Sequence, residues 1–169
     1  TGHLVLSTLH TNDAVGAVPR LVDLEVKPAT IGPALSLVIA QRLVRKLCPK
    51  CRKPKTINAE LQSKIQKILD EMPERVKKED YKKPTLYEAA GCGQCNNFGY
   101  RGRIGIFEFL LAGAEMEEVI LKQVSEVVLR ELARKQEMVT MQEDGVLKVL
   151  AGVTTLDEIE KATGPIAWE

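Results

Sequence analysis

The chain has 169 residues, 44% of them apolar and 28% charged, with a formal net charge of +1; this is the balance of a soluble globular protein with room for one domain or two small ones. Near-neutrality removes any general argument for a nucleic-acid or membrane partner, and aromatics at 4% leave the core to Leu, Ile, Val and Ala. The longest apolar run, residues 31–40, contains Gly32, Pro33 and Ser36 and is too short to cross a bilayer, while Thr1 and the lack of a basic-then-apolar leader read as the cut edge of a longer cytosolic protein.

In chain order, residues 3–9 are almost continuously apolar, the pattern of a strand covered on both faces in an α/β sheet. Thr11, Asn12 and Asp13 offer helix N-caps. Residues 14–24 then read as a helix with Val18, Leu21 and Val22 on one side and Pro19 disturbing its first turn. Residues 29–47 read as a second helix through Leu35, Val38, Ile39, Leu43 and Leu47, with Arg42, Arg45 and Lys46 complementing the dipole at its end. Residues 42–55 hold seven basic side chains and no acidic one; a solvated face and a phosphate or partner contact fit this equally.

Leu61, Ile65, Ile68, Leu69 and Met72 mark an amphipathic helix from about Asn58, and residues 73–84 a charged surface loop. Gly99 and Gly102 bracket Tyr100 and Arg101 before a strand over 104–111. Helices follow from near Ala114 and after Ser125, the latter with Val128, Leu129 and Leu132 inward. Thr140 with Glu143, and Thr155 with Glu158, fit the capping box, in which hydroxyl and carboxylate each satisfy a free backbone N–H. Gly152 and Gly164 suit the residue that closes each helix. The fold class is mixed α/β, in three sequential segments: 1–47, 48–108 and 109–169.

Cys48-Pro49-Lys50-Cys51 and Cys92-Gly93-Gln94-Cys95 each place two thiols on one tight turn, the bite that a tetrahedral ion requires. In a reducing compartment, tandem pairs of this kind point to metal. Four thiolates around Zn²⁺ leave no open position, so the site is structural, and Arg45, Lys46, Lys50, Arg52 and Lys53 lie near enough in sequence to offset its formal charge of minus two. Two disulfides and four free core thiols are the alternatives.

His10 follows the expected strand directly, among Thr8, Thr11, Asn12 and Asp13. In α/β sheets the carboxyl ends of strands are where a phosphate or an attacking water is met. On residue chemistry alone a structural histidine is still the leading reading, and His3 is read as structural too.

Residues 1–14, Thr-Gly-His-Leu-Val-Leu-Ser-Thr-Leu-His-Thr-Asn-Asp-Ala, then Gln41-Arg42-Leu43, the two cysteine pairs and Gly99-Tyr100-Arg101-Gly102-Arg103-Ile104-Gly105 resemble the GspE/PilB family, the ATPases that drive type II secretion and type IV pilus assembly. Residues 138–152 with Thr154-Thr155-Leu156 resemble the end of the same proteins. The resemblance implies a RecA-like core whose carboxy-terminal part is 1–47, a four-cysteine zinc subdomain over 48–108 and a helical subdomain over 109–169. It also implies a hexameric ring at the cytoplasmic face of the inner membrane, acting on an inner-membrane platform protein, with ATP and Mg²⁺ as ligands of the whole protein. Membrane association would be peripheral and through partners, without nucleic acid. By the same resemblance Thr8 to Asn12 is the histidine box, His10 its phosphate-sensing histidine, Thr8, Thr11, Asn12 and Arg42 contributors to nucleotide binding, and Cys48, Cys51, Cys92 and Cys95 the zinc ligands. Secretion and pilus assembly are equally served by these residues.

The 169 residues contain no Gly-x-x-x-x-Gly-Lys-Ser/Thr and no acidic Walker B strand, so the cradle for the β and γ phosphates and the Mg²⁺ ligand are missing from them. This polypeptide alone is therefore expected not to hydrolyse ATP. A zinc-ribbon nucleic-acid binder using 42–55 is disfavoured by the lack of interleaved aromatics; a self-standing scaffold that docks a membrane partner through the zinc segment is the third reading. Without flanking strands, residues 1–12 are expected to leave their family position, pair with a second chain, or be poorly ordered.

Overall fold

A computed structural model of the chain describes residues 2–81, 85–122 and 124–168. Packing divides it into two units, each drawn from two stretches: one from residues up to 40 and 109–136, the other from 41–108 and 137–169. These units and the three sequential segments are different partitions of the chain. Strands β1 (Leu37–Leu47) and β4 (Tyr100–Leu111) pair in a two-stranded sheet, and each begins in one unit and ends in the other. Hydrogen bonds from Ala112 N to Ser36 O (3.0 Å) and from Cys48 N to Gly99 O (2.9 Å) put the end of each strand beside the start of its partner.

The first unit contains α1 (Ala17–Asp23), α2 (Pro28–Ala34), α4 (Ala114–Lys122) and α5 (Glu126–Lys135) around Val15, Val18, Ile31, Leu110, Met116, Ile120 and Leu129, all buried. α2 lies tightly on α4: a Cβ added to Gly32 would stand 2.7 Å from Glu117 Cγ. Pro19 falls in the first turn of α1, where a missing N–H is no loss. Val128, expected inward, is 41% exposed, and Ala133 takes the inner face of α5 beside Leu129 and Leu132.

Two expectations fail here. Residues 3–9 form no strand: Leu4, Val5 and Leu6 are 84%, 78% and 88% exposed, and among the described residues neither sheet includes them. A strand needs a neighbour to pair its backbone, and β-propensity alone does not supply one. Residues 29–47 are not one helix either. Gly32 and Pro33 weaken helical continuation, α2 stops at Ala34, and from Leu37 the chain finds β4 as a cross-strand partner, a pairing that no local window reveals. Arg42, Arg45 and Lys46 therefore sit on a strand and complement no dipole.

The second unit contains β2 (Arg52–Lys55), β3 (Leu86–Ala89), α3 (Ala59–Glu71), α6 (Met141–Leu150) and α7 (Leu156–Thr163). β2 and β3 run antiparallel, Arg52 opposite Ala89 and Lys55 opposite Leu86. Asn58 caps α3 by accepting from Leu61 N (2.9 Å), and Ile65, Ile68, Leu69 and Met72 are buried as their spacing implied. The charged loop holds a short 3₁₀ turn at Lys78–Tyr81; Lys82, Lys83 and Pro84 lie outside the described residues. α6 meets α7 at Gly145, where a Cβ would stand 2.8 Å from Ile159 Cδ1. No helix among the described residues is long and apolar enough to cross a membrane.

Of the two capping boxes, only the first forms. Thr140 Oγ1 accepts from Glu143 N (3.2 Å) and Glu143 Oε2 accepts from Thr140 N (2.7 Å). Ser125 stands at the N-cap of α5 with no side-chain cap bond. Thr140→Ala is therefore expected to lower stability by about 1 kcal/mol, read as a lower urea midpoint at unchanged slope, while Ser125→Ala changes it little. Equal losses in the two variants would contradict this assignment.

At α7 both box residues are engaged elsewhere. The Thr155 hydroxyl lies 3.1 Å from Tyr100 Oη, and the Glu158 carboxylate receives Arg45: Nη2 at 2.5 Å, Nε at 2.9 Å and the backbone N at 3.1 Å. The guanidinium also stacks over Tyr100, 4.3 Å from the ring centroid. Hydrogen bonds from Arg45 outweigh burial and hold the Glu158 carboxyl below the usual glutamate range. A carboxylate depressed in the folded state contributes stability that is complete above its unfolded value, about 4.3, and is lost as pH falls through the lower folded value. Wild type should thus lose more stability than Glu158→Gln between pH 7 and pH 3; parallel acid limbs would remove Glu158 as a source.

Candidate metal centre

The first cysteine pair begins where β1 ends. Leu47 N donates to Val153 O (2.8 Å), Cys48 N to Gly99 O, and Cys51 N and Arg52 N return to Cys48 O at 3.3 and 3.0 Å, closing a tight turn. The second pair is a 3₁₀ turn over Gly93–Cys95, tied by Cys95 N and Asn97 N to Cys92 O at 3.1 and 2.9 Å. The chain leaves it through Asn96 and Asn97 in the left-handed region (φ 50° and 63°), a conformation that Asn tolerates better than most residues.

These turns bring the four sulfurs together within 4.8 Å of one another. Cys48 and Cys92 are 3.9 Å apart, Cys51 and Cys95 3.8 Å, Cys92 and Cys95 3.8 Å. A disulfide would require about 2.05 Å. Four sulfurs at about 2.3 Å from a tetrahedral Zn²⁺ stand about 3.8 Å from each other, so both the spacing and the soft donors fit that ion. The fit leaves no open position for chemistry.

Cys95 and Cys51 are shifted in opposite directions. Burial raises the Cys95 thiol, yet N–H bonds from Cys92 and Gly99, each 3.2 Å, outweigh that and pull it down to about 7. Cys51 goes the other way: burial and the neighbouring thiols push it up to about 12. Metal binding at such a cluster releases protons, so affinity rises with pH.

Two of the five cations expected to offset the cluster's charge are committed elsewhere. Arg45 pairs with Glu158, and Arg52 donates from Nη1 to Gly152 O (2.5 Å) while lying 4.5 Å from the Tyr87 ring centroid. Backbone N–H groups reach the sulfurs as well: Cys92 N and Gly99 N both donate to Cys95 Sγ, each at 3.2 Å. Sequence reasoning noted that glycine only as part of a spacing; the signal for its role was its place four residues after Cys95, behind two Asn.

Thr8, His10, Thr11 and Asn12, expected from the resemblance to meet nucleotide, lie in the first unit. Thr8, His10 and Asn12 are exposed. Thr11 donates its hydroxyl to Asp13 O (2.9 Å), and the Asp13 carboxylate accepts from Gly16 N (2.8 Å) and from Arg130 Nη2 (2.7 Å). Arg42 is exposed on β1, in the second unit.

Residues 1–161 match the family model for type II/IV secretion system proteins. The chain is 44% identical over 164 residues to the type II secretion system protein E of Dickeya dadantii, covering 96% of this chain and 30% of that protein. It is 41% identical over 163 residues to the type II secretion system protein E of Pseudomonas aeruginosa, again 96% of this chain and 30% of the relative. With the type IV pilus assembly ATPase PilB of Myxococcus xanthus it shares 39% identity over 165 residues, 98% of this chain and 28% of PilB. The chain thus spans under a third of these relatives, and it belongs to the type II/IV secretion system protein family.

Proposed function

We propose that the chain is the carboxy-terminal part of a motor ATPase that couples ATP hydrolysis to pilin or pseudopilin assembly. Collinear similarity from the histidine box to the last helices, shared with both secretion and pilus relatives, is the observation that supports this most. In this reading residues 1–47 belong to a RecA-like core that binds ATP and Mg²⁺ with residues beyond these 169. His10 meets the nucleotide phosphates, with Thr8, Thr11, Asn12 and Arg42 beside it. The whole protein works as a homo-hexamer at the cytoplasmic face of the inner membrane, pushing on a platform protein. The cysteine cluster holds structural Zn²⁺ and takes no part in hydrolysis.

The test is kinetic. Without a P-loop the 169-residue chain should show no ATP turnover above background. In the longer protein that carries it, His10→Ala should lower kcat by about a hundredfold, the scale of one lost group that meets transferring phosphate. Unchanged turnover would return His10 to a structural role.

A further inference from the structure

The turn between α6 and α7, residues 151–155, is fastened to the cysteine knuckle at several points. Leu47 N donates to Val153 O one residue before Cys48 (2.8 Å), and Thr154 Oγ1 donates to Arg45 O (2.8 Å). Arg52, the residue after Cys51, carries the third attachment. Its backbone is set by the Cys48–Cys51 turn, and its guanidinium donates to Gly152 O and lies over the Tyr87 ring. Gly152 has no room for a side chain: its φ is 71°, and a Cβ would stand 2.9 Å from Arg52 Nη1 and 2.9 Å from Tyr87 Cε2.

We propose that metal loading of the four-cysteine site and docking of the α6–α7 turn are coupled, with Arg52 as the joint between them. The metal fixes Cys51; Cys51 fixes the start of β2; Arg52, pinned at that start, holds Gly152. Emptying the site frees the knuckle, and the carbonyl of Gly152 loses its donor. The inference rests on reading the cysteine cluster as a metal site, and goes beyond it by extending the metal's reach to helices that supply no ligand. Binding linkage is reciprocal, so a lesion at the turn must weaken the metal by the same factor that the metal steadies the turn.

The experiment uses the whole chain, with Zn²⁺ affinity measured by competition against a chromophoric chelator and hydrogen exchange followed over residues 149–160. Wild-type affinity tests the metal reading by itself: failure to bind Zn²⁺ overturns that reading and the coupling with it. Gly152→Ala changes no charge and touches no ligand, yet should weaken Zn²⁺ by about tenfold, within the usual range of coupling between sites. It should also speed exchange over 149–160 in the zinc-loaded protein. Arg52→Lys keeps the positive charge but loses the planar fork and the stack; it should shift both readings in the same direction and by less. Wild-type Zn²⁺ affinity in a Gly152→Ala protein whose turn exchanges faster would overturn the coupling. Should Gly152→Ala not fold, Arg52→Lys decides: unchanged affinity with faster exchange overturns the coupling, and a joint shift supports it.

Discussion

Cys92→Ser is expected to strip the metal and unfold residues 48–99. Purified wild-type chain should carry about one zinc, held by four sulfurs whose spacing suits that ion. Binding at closed thiolate sites is worth on the order of 10 kcal/mol at neutral pH, as much as the whole stability of an ordinary domain. A serine oxygen in place of one thiolate forfeits a large share of that. The two strands nearest the cluster have little to substitute for it, since β2 and β3 are four residues each and Lys53, Lys55 and Glu88 on them are exposed. Metal content and hydrogen exchange across Cys48 to Gly99 would report the loss. A zinc-free wild-type protein with two disulfides would refute the metal reading outright.

Gly99→Ala is the second substitution with a large expected effect. At φ 74°, any side chain is strained by about 1–2 kcal/mol. The Cβ would also stand 2.5 Å from Ala89 Cβ and 3.0 Å from Ala89 Cα. Ala89 cannot step back without parting β3 from β2, since it is paired opposite Arg52. Moving Gly99 instead disturbs the N–H that reaches Cys95 and the carbonyl that receives Cys48. Together these should cost about 3 kcal/mol or more, in the upper range for single substitutions, with a loss of zinc affinity in parallel. A neighbouring control is Gly102→Ala: its φ is 79° but a Cβ there meets nothing within 4 Å, so only the backbone strain applies. If the two variants were equally stable, the close approach at Ala89 would have no energetic meaning.

What could be read from the sequence was what is local. The cysteine spacing pointed to the four-sulfur cluster, the Asn58 cap and the Ile65, Ile68, Leu69 stripe gave α3, and Thr140 with Glu143 gave the start of α6. Failures came where a distant partner decided the outcome. Residues 37–47 carry apolar side chains at helical spacing, and only β4 makes them a strand. Thr155 and Glu158 have the letters of a capping box, but Tyr100 and Arg45 compete for them and win, because a bidentate guanidinium outbids a single backbone N–H. Residues 3–9 fail in the opposite sense: they have the composition of a strand and, among the described residues, no partner to make them one. At the cysteine cluster the four sulfurs were legible, whereas the N–H donors to Cys95 were not, since they depend on how the backbone folds back around the second knuckle.

The interleaving of the two units fixes an order of events during synthesis. Each unit is built from two stretches, so neither can close when its first stretch leaves the ribosome. All four cysteines have emerged by residue 95, well before Glu137 opens the stretch that brings α6 and α7. At 5–20 residues per second, the knuckles have a few seconds in which to find metal before the helices arrive. The nascent chain would then present β1 and β4 with their ends already tied by the ion, shortening the loop that must be searched for the last helices to land. If the cluster takes zinc as proposed, a cell short of that ion would meet the consequence at translation, as a chain whose second unit is still open when α7 has been made.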